Sequence, residues 1–319
     1  MNKVLELEEV SRTFSSGVFR THTVRAVDRV SFALERGKTF GLVGNSGCGK
    51  TTLSRMITRV LKPSGGRIRF EGEDIARLDR KGSRAYHRRV QIIFQNPEAS
   101  LDPSMRIRDS LLESMAIHRL GESREERMEK IRAALGQVGL PNPELVAKRY
   151  PHTMSGGQRQ RVMIAMAMAC NPKILFADEP TTALDVTMQA QILDLMNHLK
   201  EKRGTSILLI THDLGVVAKM ADRIAVMYAG KIVEYGDARQ VFYRPSHPYT
   251  WGLLGAMPNL IQDVKSELYA IPGTPPDLYA PPKGCAFAAR CPYAMEACLK
   301  EDPPEFACGQ GHGSRCWLL

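Results

Sequence analysis

The run Gly44-Asn45-Ser46-Gly47-Cys48-Gly49-Lys50-Thr51 constrains this chain more than any other feature. It follows Thr39 to Val43, an apolar segment that reads as a buried strand, and it opens a helical pattern through Thr52. This is the context a P-loop requires. The glycines let backbone N–H groups turn inward around a phosphate, and the following helix points its positive end at the anion. Lys50 adds a full charge on the terminal phosphates, and the Thr51 hydroxyl is placed to hold magnesium.

The rest of the chain follows the same grammar. Val90 to Phe94, Ile174 to Ala177 and Ile207 to Ile210 are further short apolar runs, expected as buried strands of an α/β sheet. Between the second and third of these four runs lies a helical insertion, with Met128, Ile131, Leu135 and Val138 on one face and Ser123 and Glu126 as a capping box. The 319 residues carry a net charge of +10, which favours anionic partners but does not choose among them. The longest apolar stretch, Val162 to Cys170, is about half of what a membrane span needs. Met1 to Val10 lacks the basic-then-apolar pattern of a secretory signal, so a cytosolic location is expected.

A pair of carboxylates ends the run at Ile174: Asp178 and Glu179 fall at the carboxyl end of a parallel strand, where such sheets present ligand groups. Asp178 is expected to bind magnesium, and Glu179 to orient and deprotonate the attacking water. His212, after another apolar strand, is a candidate contact for the γ-phosphate.

Met154-Ser155-Gly156-Gly157-Gln158 precedes an apolar helix, with the P-loop before it and Ile174 to Glu179 after it. This combination resembles the nucleotide-binding subunit of an ABC transporter. The resemblance implies a P-loop (RecA-like) ABC nucleotide-binding domain with a helical subdomain. Gln95 then matches the Q-loop and joins Thr51 and Asp178 around magnesium. Ala183-Leu184-Asp185 matches the D-loop and His212 the switch histidine. Phe14, with Phe19 as the alternative, is the aromatic expected on adenine. The resemblance further implies that two subunits close head to tail, with Ser155, Gly156, Gly157 and Gln158 of one capping the γ-phosphate held by Lys50 of the other. Met154 stands where the family usually has leucine, a tolerated apolar exchange.

Arg244-Pro245-Ser246-His247-Pro248-Tyr249-Thr250 and Ile271-Pro272-Gly273 resemble the oligopeptide, dipeptide and nickel importer branch of that family. Expected domains are 1–245 for the ATP-binding part, with core 1–94 and 160–245 and a helical subdomain at about 95–159, then a small Cys-rich C-terminal extension, 246–319. Ser246 to Tyr249 reads as a rigid turn without direct chemistry. By the resemblance, partners are a second ABC ATPase subunit, two permeases and, indirectly, an external solute-binding protein, with no nucleic acid. The chain would then sit at the cytoplasmic face of the membrane. Ala99 to Pro103 would lie near the groove that receives a permease helix.

Seven cysteines in a chain expected in the cytosol argue against a disulfide framework. Cys285, Cys291, Cys298 and Cys316 match the branch's extension, where the resemblance implies a four-iron, four-sulfur cluster in some members. Zinc remains open as an alternative, as do free thiols in a packed tail.

Overall fold

A computed structural model describes residues 2–16, 22–182, 184–257 and 270–319. The chain divides into two compact units. One comprises Met1–Val4, Glu35–Lys38 and Arg77–Leu209; the other comprises Leu5–Leu34, Thr39–Ala76 and Ile210–Leu319.

In the first unit, strand Val90–Ile93 runs parallel to Ile174–Asp178, with Ile92 opposite Phe176. Strand Ser206–Thr211, buried at every position, follows next in that order. Continuous apolar runs form these strands because both faces are covered, so no polar alternation survives. Around them lie helices Ile107–Ile117, Arg124–Gln137, Pro143–Lys148, Gly156–Ala169 and Val186–Arg203. Ile131, Leu135 and Val138 are buried, as their spacing requires. The expected capping box at Ser123 forms only by half. Ser123 Oγ accepts from Glu126 N–H at 3.1 Å, but the Glu126 carboxylate turns outward to Glu122 N–H at 2.7 Å and Lys130 at 2.5 Å. The charge-assisted bond to Lys130 draws the carboxylate away from Ser123 N–H.

The second unit holds two sheets. In one, Lys3–Ser16 pairs antiparallel with Gly65–Phe70, placing Leu5 opposite Phe70 and Leu7 opposite Ile68, all of them buried. In the other, Thr39–Val43 runs parallel to Arg223–Tyr228, which pairs antiparallel with Lys231–Asp237. The C-terminal residues continue this sheet: His312–Ser314 pairs with Lys231–Asp237, and Phe306–Gly309 with His312–Ser314. The proline-rich stretch 270–283 forms neither helix nor strand, as its lack of N–H donors dictates. Among the described residues, no helix is long and apolar enough to cross a membrane.

Candidate nucleotide site

The expected site residues fall into two clusters, one in each unit. In the second unit, strand Thr39–Val43 ends at the glycine loop, and helix Lys50–Ile57 begins directly after it. Gly44 is there because nothing larger fits: a Cβ would lie 2.2 Å from the Met227 carbonyl oxygen and 2.7 Å from Cys48 Sγ. Gly49 precedes the helix at φ 109°, a left-handed conformation closed to side chains, and a Cβ there would meet the Ala26 carbonyl oxygen at 2.3 Å. The helix N-terminus has no side-chain cap, so its first N–H groups are not claimed by a capping oxygen.

Lys50 is 6% exposed and folds back over the loop. Its Nζ donates to the carbonyl oxygens of Gly44 at 2.6 Å and Asn45 at 2.9 Å, and lies 3.7 Å from Cys48 Sγ. Burial pushes the Cys48 thiol up, although the Lys50 charge opposes that shift. Thr51 and Thr52 continue the helix, and the Thr51 carbonyl accepts from Ser54 Oγ at 3.0 Å. Phe14, 40% exposed on its strand, has the Arg12 guanidinium 4.7 Å above its ring. Phe19 lies outside the described residues. His212 follows strand Ser206–Thr211, beside Asp213, which caps helix Leu214–Met220 through Gly215 N–H and Val216 N–H.

In the first unit, Gln95 Nε2 donates to Glu179 Oε2 at 2.8 Å. Thr182 Oγ1 donates to the same oxygen at 3.0 Å. Glu179 itself sits at φ 47°, a left-handed backbone conformation uncommon for a side-chain-bearing residue. Asp178 closes the strand beside it. Ser155 caps helix Gly156–Ala169: its Oγ accepts from Gln158 N–H at 3.3 Å, and Gln158 Oε1 accepts from Ser155 N–H at 3.2 Å. Met154 is buried beneath it. Asp185 caps helix Val186–Arg203 by accepting from Met188 N–H at 2.8 Å; Ala183 lies outside the described residues.

Sequence reasoning missed Tyr249. Its hydroxyl accepts the N–H of Asn45, in the glycine loop, at 3.0 Å. Ser246 and His247 do hold a turn, donating their N–H groups to the buried Glu234 carboxylate at 2.7 and 3.0 Å. The available signal was a tyrosine inside the apolar helix Pro248–Gly255, where a buried hydroxyl needs a partner.

The four expected cluster cysteines come together in the second unit. Cys285 N–H donates to the Cys298 carbonyl at 2.8 Å. Burial pushes the Cys285 thiol up to about 11, and Cys298, Cys316 and Cys291 add to that rise. Cys291 and Cys316 are likewise raised, chiefly by burial. Among the described residues, no group of three or more His, Cys, Asp or Glu side chains is arranged to hold a metal ion.

A glycine loop between strand and helix, a carboxylate pair ending a parallel strand and a capped Ser-Gly-Gly-Gln helix define an ABC-type ATPase. The chain belongs to the ABC transporter family. The family model described as "ABC transporter" matches residues 27–182, and that of the "Oligopeptide/dipeptide transporter, C-terminal region" matches 233–298. The chain is 47% identical over 325 residues to the dipeptide transport ATP-binding protein DppD of Bacillus subtilis (strain 168), covering 100% of this chain and 95% of that one. The same organism's oligopeptide transport ATP-binding protein OppD is also 47% identical, with 100% of this chain and 90% of that protein covered. Among solved structures, it resembles the dimeric post-hydrolysis ATP-binding cassette MJ0796 bound to ADP and Pi. There the TM-score is 0.65 at 28% identity, covering 74% of this chain and 99% of the other.

Proposed function

We propose that this chain is the ATP-hydrolysing subunit that powers peptide import through an ABC transporter. The carrying observation is full-length similarity to the dipeptide and oligopeptide transport ATP-binding proteins, extending through the C-terminal region. Nickel or oligosaccharide import is the second reading of the same machine.

In this reading Lys50 and the loop from Gly44 to Thr52 bind the phosphates of ATP, and Phe14 stacks on adenine. Thr51 would hold magnesium in the second unit, and Gln95 and Asp178 are the first unit's candidate ligands. Glu179 takes the proton of the attacking water while Gln95 and Thr182 fix its carboxylate, and His212 contacts the γ-phosphate. Ser155 to Gln158 supply an anion site for the γ-phosphate of a second ATPase subunit, with Asp185 near that junction. Residues 1–245 form the ATP-binding part and 246–319 the branch-specific extension. The four cysteines are assigned a structural part; iron, sulfide and zinc analysis of protein purified without air tests the metal alternative.

The groove next to the Gln95 loop is the proposed docking place for a permease helix. A cavity of ≈ 550 Å³ is lined by Gln91, Phe94, Leu101, Ser114, Met163 and Met166, and Phe94 is 50% exposed. Concave and lined by apolar residues together with polar ones such as Gln95 and Asp178, it suits a short amphipathic helix at the membrane's cytoplasmic face. Tagging the chain in its own organism and extracting membranes in mild detergent tests the proposal. Two permeases should copurify, with or without a second ATPase. Recovery only with ribosomal or DNA-bound proteins would refute the transport reading.

A further inference from the structure

The peptide joining Gly44 to Asn45 is held from both sides. Its N–H donates to the Tyr249 hydroxyl at 3.0 Å, and its carbonyl accepts from Lys50 Nζ at 2.6 Å. A trans peptide points these two groups in opposite directions, so Tyr249 and Lys50 clamp one plane between them. The tyrosine comes from far along the chain, in the first turn of helix Pro248–Gly255.

Its position is rigid. Tyr249 is 0% exposed, and its ring packs 4.6 Å from Tyr228 and 5.4 Å from Phe287, centroid to centroid. Phe287 meets Tyr228 edge-on at 5.3 Å. Arg290 ties this cluster to the proline-rich segment, donating to the carbonyls of Ile271 at 3.0 Å and Pro272 at 2.9 Å. The Tyr249 N–H is itself fixed by His247 Nδ1 at 3.0 Å.

We propose that Tyr249 is a positioning residue for the P-loop lysine. By accepting the Asn45 N–H it fixes the Gly44–Asn45 peptide, whose carbonyl then holds Lys50 Nζ where the terminal phosphates of ATP arrive. The inference rests on the ATPase reading of the loop. A peptide beside a glycine rotates easily, because no Cβ restrains it. Without Tyr249 Oη the half-buried Asn45 N–H would lose its acceptor, favouring rotation of the plane and loss of the Gly44 carbonyl, one of the lysine's two carbonyl acceptors. Tyr249 does not touch nucleotide; it acts through the peptide and makes the C-terminal extension part of the ATP site.

The test is the Mg·ATP affinity of the purified full chain, by equilibrium titration, in unsubstituted, Tyr249→Phe, Lys50→Met and doubly substituted forms. Tyr249→Phe keeps the ring and removes the acceptor. It is expected to weaken binding about tenfold in the Lys50 background and not at all in the Lys50→Met background. Amide hydrogen exchange should rise at Asn45 while strand Arg223–Tyr228 keeps its protection. Equal weakening in both backgrounds, unchanged affinity, or protection lost throughout that strand would each overturn the proposal. If the unsubstituted chain does not bind Mg·ATP, the ATPase reading falls and this inference with it; if it binds and only the Tyr249 prediction fails, the ATPase reading stands.

Discussion

His247 makes stability depend on pH in a direction the structure fixes. It is 1% exposed, its Nδ1 caps helix Pro248–Gly255 through Tyr249 N–H, and the Phe287 ring lies 5.9 Å away. Burial pushes its pKa down from 6.5 to about 4. Between those two values the unfolded chain takes up a proton that the folded chain refuses. Stability is therefore fully present above about pH 6.5 and is lost as pH falls toward 4. With these values the loss between pH 7.5 and 5.0 is about 2 kcal/mol. A difference measurement against a variant isolates this imidazole. His247→Asn keeps an acceptor at the helix cap and removes the titrating ring. Urea unfolding at both pH values, followed by tryptophan fluorescence, reads the relevant region. Both tryptophans lie there, Trp251 bonded to the Pro245 carbonyl at 2.8 Å and Trp317 to that of Glu301 at 3.1 Å. The unsubstituted chain should lose about 2 kcal/mol more than the variant on acidification. Equal losses would refute the assignment of a buried neutral imidazole.

Glu179→Gln should lower ATP turnover in the assembled transporter about a hundredfold or more while Mg·ATP binding persists; near-normal turnover would remove Glu179 as the base. Gly44→Ala forces a Cβ to 2.2 Å from the Met227 carbonyl oxygen, so thermal melts should show destabilisation of about 2 kcal/mol with weakened nucleotide binding. Cys285, pushed up to about 11 by burial, should be alkylated at pH 8 far more slowly than an ordinary thiol, as peptide mass spectrometry can follow.

The strands were legible because both their faces are buried, leaving continuous apolar runs that periodicity rules detect: Thr39–Val43 is observed as expected, and Ile174 to Ala177 gains only Asp178. The glycine loop was legible because backbone geometry there admits few side chains. Competition among polar groups was not. Whether Glu126 bonds Ser123 or Lys130 depends on three-dimensional choices that a three-residue spacing does not encode. Tyr249 was illegible for a related reason. Its partner, Asn45, is 204 residues away, and only folding brings a hydroxyl from the proline-histidine turn to the loop. The clustering of the cysteines was visible in sequence, and folding brings Cys285 N–H to the Cys298 carbonyl across 13 residues.

Two helix N-termini in this chain meet the same physical problem differently. Helix Lys50–Ile57 begins after a glycine with no capping side chain, and that open end suits a phosphate that the loop itself cradles. Helix Gly156–Ala169 closes its own end, with Ser155 and Gln158 satisfying each other's N–H groups at 3.3 and 3.2 Å. A self-capped terminus is stable without an anion, as a surface must be if its phosphate arrives on another subunit and departs again. Under the proposed head-to-tail pairing, an arriving γ-phosphate competes with Ser155 Oγ for the Gln158 N–H. The reciprocal cap then sets a threshold of about 1 kcal/mol that nucleotide must exceed before closure is favourable.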